Sequence, residues 1–153
     1  MYSLLIDTHD KLVSFVLYKD GKTIDIKNIE SNMRHSEIAM PSLIDILKTN
    51  NVDIKDIDEL LVVIGPGSFT GVRIGVVIAK TIAYLLKIKL YAKSSLSLLK
   101  HREFPTICLF NARSGRSYFA VYKGNEAIVK DSVLENGKVL EYIKSHPDYL
   151  VHG

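Results

Sequence analysis

The sequence has few of the residues that build disulfide frameworks or metal centres. Its single cysteine, Cys108, lies in the apolar segment 107–110, which favours a buried thiol in a reducing compartment. No two of the five histidines are four residues apart, so the sequence offers no helical two-histidine metal site. We therefore expect a cytoplasmic protein without a metal of its own.

Charge of one sign and long hydrophobic runs are also scarce. The 20 Lys and Arg exceed the 17 Asp and Glu by only +3 at pH 7, too little to indicate a nucleic-acid surface. The N-terminus lacks the basic start of a signal peptide, and Asp7 interrupts its apolar run. Because Arg73, Lys80 and Lys87 break up the most apolar region, we expect no membrane-spanning segment.

The apolar pattern predicts an α/β protein made of two units with a similar order of elements. The turn signal Asp20-Gly21 predicts that the chain opens with a three-stranded meander. Residues 1–92 form a βββαβα pattern, and residues 93–153 a shortened version of it. Strands are predicted at 3–7, 12–18, 23–29, 59–64, 90–92, 106–110, 118–122, 126–130 and 149–151, and helices at 36–50, 69–86, 94–100 and 138–145.

The strongest functional signal is the glycine-rich segment 65–75, between an apolar strand and a long helix. Such a corner leaves the first N–H groups of the helix unpaired, which favours an anion site. Its glycine spacing fits neither the dinucleotide fingerprint nor a Walker loop, and Ser68 does not fit a nucleophile elbow. A structural turn with a capping residue is the alternative. The candidate motif loop comprises Asp7, Gly65, Pro66, Gly67, Ser68, Phe69, Thr70 and Arg73.

Other candidates for chemistry are isolated. Asp7, followed by Thr8 at the end of the first strand, is either a carboxylate near a phosphate or metal, or a solvated turn residue. The basic segment 111–113 with Arg116 would contact an anion or simply form a hairpin loop. No serine, cysteine or histidine constellation is nucleophilic, so we predict no catalytic residue.

Small residues recur at every fourth position of the long helix, at Gly71, Gly75, Ala79 and Ala83. This stripe allows another backbone to approach closely. The rest of the helix is also apolar, so it must be covered on more than one side. The sequence leaves two explanations open, packing against the helix at 36–50 or docking of a partner helix.

Together these segments resemble the TsaB family, formerly called YeaZ. The resemblance covers essentially the whole chain, is strongest from residue 1 to about residue 100, and implies an actin-like ATPase (ribonuclease H-like) fold with a shortened second subdomain. It is carried by residues 6–8, His35-Ser36, Pro41, residues 65–75, Lys80, residues 94–96 and Ala112-Arg113.

The resemblance implies a role in making N6-threonylcarbamoyladenosine at position 37 of tRNAs that read codons beginning with A. TsaB-like chains are pseudoenzymes that support the catalytic paralogue TsaD, while TsaE is an ATPase that binds the pair. The TsaD pair His-x-x-x-His is reduced here to His35, with Ala39 in the second position. The resemblance thus implies no cofactor on this chain, ATP or ADP and metal on TsaD and TsaE, and only indirect contact with tRNA.

The resemblance also implies a heterodimer in which the first two helices pack on their TsaD counterparts. It therefore favours the partner explanation for the stripe of small residues. Since the partners are paralogues, we expect the same helices to allow a homodimer when TsaD is absent. The implied interface comprises His35, Ser36, Ile38, Leu43, Gly71, Val72, Gly75, Ala79 and Ala83.

Three residues depart from the family pattern: His9 replaces Ser or Thr, Asn111 replaces Asp, and Arg116 replaces an acidic residue. These changes argue against an inherited phosphate site. The 153 residues are fewer than is usual for the family, which leaves contact with TsaE open. The alternative function is a small ATPase or kinase that uses Asp7 and the glycine corner, or a metallopeptidase, acting alone.

Overall fold

The chain divides into two units, each with its own sheet. The structure is a computed structural model that describes all 153 residues, Met1–Gly153. The first unit is Met1–Lys93 and the second is Ser94–Gly153, so the division falls one residue beyond the boundary expected from the sequence.

The first unit is a five-stranded sheet with two helices. The sheet has the order β3-β2-β1-β4-β5; β1 runs antiparallel to β2 and parallel to β4. A 3-10 turn at Ile54–Asp56 precedes β4. The elements are β1 Tyr2–Asp7, β2 Leu12–Lys19, β3 Lys22–Glu30, α1 His35–Thr49, β4 Ile57–Val63, α2 Phe69–Leu86 and β5 Lys89–Lys93.

The core of this unit lies between one face of the sheet and both helices. Because side chains alternate along a strand, Leu4 and Ile6 of β1 share a face with Phe15 and Leu17 of β2. All four are fully buried beneath α1 and α2. The small-residue stripe of α2 is buried in the same unit. It is therefore this stripe that brings α2 close to the end of β1.

The second unit repeats the strand arrangement on a smaller scale. The elements are β6 Thr106–Arg113, β7 Arg116–Lys123, β8 Glu126–Glu135, α3 Asn136–Ser145 and β9 Leu150–His152. The sheet has the order β8-β7-β6-β9, with β9 parallel to β6, as β4 is to β1 in the first unit. Val139 of α3 packs with Ile107, Phe119 and Val121 on one face of this sheet.

The prediction of an α/β fold with a shortened second unit is confirmed, with local differences. The α2 helix has the predicted bounds, Phe69–Leu86. The short helix predicted at 94–100 is a single 3-10 turn, Leu96–Leu98. At its start the Leu96 N–H donates a hydrogen bond to the Ser94 hydroxyl oxygen. Strand β8 continues to Glu135, five residues beyond its predicted end, because it keeps pairing with β7.

The expectation that no segment could span a membrane was too strict. By length and composition α2 is apolar enough to do so, with 18 residues and a mean hydropathy of 1.6. In the structure its glycine and alanine side packs on the sheet, and these small residues are the buried ones of the helix. Length and composition alone are therefore weak evidence for a membrane segment here.

Replacing Gly71 by Ala should destabilise the first unit, because the new Cβ would lie 2.1 Å from the carbonyl oxygen of Thr8. We expect a loss of about 1–3 kcal/mol in the free energy of unfolding, measured by urea titration. Gly137→Ala in α3 is the matched control, since its Cβ meets nothing within 4 Å. The control should gain up to about 1 kcal/mol from helix propensity. Equal stability of the two variants would contradict the close packing of α2.

Candidate functional site

The glycine corner connects the end of β4 to the start of α2. Ser68 is the N-cap of α2, and its Oγ accepts a hydrogen bond from the Gly71 N–H at 3.2 Å. Gly65 has a φ of +90°, a conformation that side chains other than glycine rarely adopt, and it precedes a cis peptide bond to Pro66. Of the predicted motif-loop residues, those at 65–68 form the connection from β4 to α2, whereas Phe69, Thr70 and Arg73 lie in the first turns of the helix.

The loop between β1 and β2 packs directly into this corner. The Ser68 N–H donates to the carbonyl oxygen of His9 at 2.7 Å. A Cβ at Gly67 would lie 2.3 Å from the same oxygen, so only glycine allows this approach. The chain's own backbone thus lies against the corner at Gly67 and Ser68.

Thr8 joins the end of β1 to the first turns of α2. Its buried hydroxyl donates to the Gly71 carbonyl oxygen at 2.7 Å and accepts from the Gly75 N–H at 3.1 Å. In a regular helix these two backbone groups would bond to each other. The Thr8 hydroxyl therefore bridges a helical hydrogen bond, which fixes α2 on the strand.

Asp7 is engaged by its own loop. Its Oδ1 lies 2.6 Å from the Nδ1 of His9 and also accepts from the His9 N–H at 3.0 Å. Both side chains are mostly buried, at 14% and 15% exposure. No group of three or more His, Cys, Asp or Glu in the chain is arranged to hold a metal ion. His9, which differs from the family pattern, is thus the hydrogen-bond partner of the Asp7 carboxylate.

Most residues predicted at the partner interface face the interior of the first unit, which corrects that prediction. The Cβ positions of Gly71 and Gly75 point at Thr8, and Ala79 is fully buried. His35 turns inward, with Nε2 2.7 Å from the Asp10 carbonyl oxygen. In all, His35, Leu43, Gly71, Gly75, Ala79 and Ala83 are buried, whereas Ser36 is exposed and Ile38 and Val72 are partly buried.

The opposite side of α2 and the adjoining side of α1 form an exposed apolar surface, which we call the α1–α2 face. On α2, Val77 is 62% and Tyr84 83% exposed. A groove of about 410 Å³ on this face is lined by Ser36, Met40, Thr70, Arg73, Ile74, Val77 and Ile78. Other exposed apolar residues of the two helices are Ile44, Phe69 and Leu85.

Of the groove residues, the sequence placed Ser36 at the partner interface and Thr70 and Arg73 in the motif loop, and it assigned no site role to the other four. The groove could have been predicted from the apolar residues of α2 that remain exposed when its small-residue stripe faces the interior.

In the second unit the basic segment forms a hairpin tip. The Asn111 side chain accepts from the Arg113 N–H at 2.7 Å, and Arg113 pairs with Arg116 across the β6–β7 turn. Arg113, Ser114 and Gly115 all have positive φ, as a tight turn requires. The hairpin interpretation of these residues is therefore the one that the structure bears out.

The buried titratable groups of the second unit are held in their neutral forms. Burial, with a smaller contribution from Asp131, raises the pKa of the Cys108 thiol to about 11. Burial and the hydrogen bond that Tyr122 donates to Asp131 at 3.0 Å raise the pKa of the phenol to about 12. Neither group is an activated nucleophile near neutral pH.

Comparison with solved structures defines the class of fold. The chain matches "YeaZ from Pseudomonas aeruginosa" with a TM-score of 0.78 and 23% identity, over 88% of this chain and 66% of that one. A second structure, described as an uncharacterized protein similar to peptidase YEAZ from Pseudomonas aeruginosa, matches with a TM-score of 0.84 and 20% identity, over 99% and 83%. The protein has the actin-like ATPase fold.

Comparison of sequences defines the family. Residues 29–147 match the family model "TsaD: tRNA N6-adenosine threonylcarbamoyltransferase". Two proteins named "tRNA threonylcarbamoyladenosine biosynthesis protein TsaB" are also similar: that of Bacillus subtilis is 32% identical over 92% of this chain, and that of Escherichia coli 33% over 82%. The chain belongs to the TsaB (YeaZ) family. The matches cover 63% and 57% of those two relatives.

Replacing Thr8 by Val should destabilise the first unit, because the buried carbonyl of Gly71 and N–H of Gly75 lose their shared partner. We expect a loss of about 1–3 kcal/mol in urea unfolding and faster hydrogen exchange at the Gly75 amide. Thr8→Ser keeps the hydroxyl and should lose no more than about 1 kcal/mol, from its missing methyl group. The bridge would be unimportant if Thr8→Val were as stable as Thr8→Ser.

Cys108 should react slowly with iodoacetamide at pH 8 in the folded protein, since its thiol is buried and its pKa is about 11. In urea the thiol regains an ordinary pKa of about 8.5 and should react readily. Mass spectrometry of the labelled chain measures both rates. Rapid labelling without denaturant would show that the thiol is accessible.

Proposed function

We propose that this chain is a non-catalytic scaffold subunit in the synthesis of N6-threonylcarbamoyladenosine at position 37 of tRNAs that read codons beginning with A. In this proposal it binds TsaD and holds it in its active arrangement in the cytoplasm. The observation that carries the proposal is the α1–α2 face, an exposed apolar surface on two neighbouring helices of the unit that opens the chain.

An exposed apolar groove of this kind favours docking of a protein. Burial of apolar side chains such as Val77 and Tyr84 is the main favourable contribution to association. The α1–α2 face presents such side chains from both helices, so a partner with two matching helices would cover it. Since TsaD is a paralogue, its equivalent helices are the natural occupants. In the absence of TsaD the same face is available to a second copy of this chain.

The non-catalytic role is supported by the geometry of the glycine corner. Its Ser68 N–H is bonded to His9, its Gly71 N–H to Ser68, and its Gly75 N–H to Thr8. Asp7 is paired with His9 rather than presented to a ligand. We therefore propose that the chain holds no nucleotide or metal of its own, that TsaD and TsaE supply them, and that tRNA is contacted through TsaD.

The competing function, an ATPase or kinase acting alone, would need the corner to cradle a phosphate. The contact of the β1–β2 loop with the Ser68 N–H argues against that function, and no observation favours it. The proposal for TsaD depends on residues 1–93 alone, and contact with TsaE is not part of it.

Val77→Asp should abolish binding to TsaD without unfolding the chain, because Val77 lies in the groove and is 62% exposed. The substitution removes an apolar contact and puts a carboxylate where it must lose its water when the partner binds, which should weaken binding at least about a hundredfold. Calorimetry with purified TsaD measures the affinity, and restoration of tRNA modification in the mixture measures the function.

Leu140→Asp is the matched control, an equally apolar helical residue that is 56% exposed on α3 of the second unit. It should bind TsaD as the unmodified chain does. Circular dichroism checks that both variants remain folded. Tight binding of TsaD by a folded Val77→Asp variant would rule out the α1–α2 face as the interface.

A further inference from the structure

The charged residues of α2 are all basic. The helix carries Arg73 and Lys80, ends at Lys87, and contains no acidic residue. Arg73 and Lys80 are seven residues apart, so they lie along one side of the helix about 10.5 Å from each other. Lys87 follows as the left-handed C-cap of the helix. All three are exposed. The α1–α2 face therefore has a row of cations along it.

This row has no counter-charge within the chain. Neither Arg73, Lys80 nor Lys87 takes part in any of the four ion pairs of the structure. Arg73 instead lies over the ring of Phe69, 5.1 Å from its centroid, at the edge of the groove. The cation–π contact positions the guanidinium without neutralising it.

The acidic residues of α1 do not compensate this charge. Glu37 is bonded to Arg34 at 2.6 Å, and Asp45 to Lys27. Both carboxylates are thus already paired inside the chain, and they are the only acidic residues of α1. Lys48, in the last turn of α1, is also exposed and takes part in no ion pair, so the unpaired charges of the two helices are all positive.

Apolar side chains alternate with the cations and indicate which class of molecule fits. Phe69, Val77 and Tyr84 are exposed on the same side of α2 as Arg73 and Lys80. A nucleic acid would leave much of this apolar surface uncovered, since its affinity comes mainly from phosphate contacts. A protein helix with both apolar and acidic side chains would satisfy both features.

We propose that the cation row selects a protein partner whose docking helix carries carboxylates two helical turns apart, and that it disfavours a second copy of this chain. The inference rests on the proposed function, in which the α1–α2 face docks a protein. A two-fold contact between identical faces would bring three further cations to the three already present. Like charges across an interface oppose association, whereas carboxylates would strengthen it.

The test measures binding between the unmodified chain and a variant of it with reversed charges. Arg73→Glu/Lys80→Glu makes the row acidic, and Lys22→Glu/Lys130→Glu makes the same change of charge at exposed positions on β3 and β8. Sedimentation is measured for each protein and for mixtures. Salt is set at about 10 mM, where the screening length is about 30 Å, and at about 1 M, where it is about 3 Å.

At low salt the unmodified chain should self-associate weakly, and more strongly at high salt. Its mixture with Arg73→Glu/Lys80→Glu should form a one-to-one dimer at least about tenfold tighter than the homodimer at low salt. The mixture with Lys22→Glu/Lys130→Glu should show no such gain. The proposal is overturned if the acidic variant brings no gain, or if the unmodified chain self-associates as tightly at low salt as at high salt.

A second measurement uses TsaD. Arg73→Glu/Lys80→Glu should weaken its binding about tenfold at low salt and less at high salt. If TsaD binds the unmodified chain and this variant equally, the charge inference fails and the proposed function stands. If TsaD binds neither, the proposed function fails, and the mixing experiment still decides the charge inference. Binding of tRNA that depends on Arg73 and Lys80, with no gain in the mixture, would assign the row to RNA and overturn the proposal.

Discussion

The contact between α2 and the end of β1 determines the geometry of the first unit. The Thr8 hydroxyl is hydrogen-bonded to both Gly71 and Gly75. The carbonyl oxygen of Thr8 lies where a side chain on Gly71 would be. Backbones can approach this closely only where side chains are absent or very small, so the stripe continues as Ala79 and Ala83. Once this side of α2 is fixed on the strand, the rotation of the helix is fixed as well. Its remaining apolar side chains must then point away from the sheet.

Two functional features follow from the same contact. The β1–β2 loop that brings Thr8 to the helix also places the His9 carbonyl oxygen on the Ser68 N–H, so this donor of the corner is used within the chain. At the same time, the rotation of α2 exposes Val77 and Tyr84 beside α1. The same packing arrangement thus engages the glycine corner within the chain and leaves the apolar α1–α2 face exposed.

Local patterns predicted the elements well and their partners less well. The capping Ser68 and the apolar run that follows it determine α2, so its bounds were predictable. A stripe of small residues predicts that another backbone packs closely against the helix. It does not distinguish a strand of the same chain from a helix of another chain. His35 turns inward because it reaches the Asp10 carbonyl oxygen, 25 residues away, a contact that no local pattern reveals. The groove depends on how α1 and α2 lie side by side, which only the folded chain shows.

An apolar surface has little power to discriminate between related partners, because burial of apolar area is non-directional. This matters for a chain whose proposed partner is a paralogue, since similar helices would cover the α1–α2 face about equally well. Charge supplies the difference. The pairing of Glu37 and Asp45 with Arg34 and Lys27 leaves α1 without a free carboxylate, and Arg73, Lys80 and Lys87 make the α2 side positive. The affinity of this face for an acidic helix and for its own copy must then differ, and the difference grows as salt is lowered.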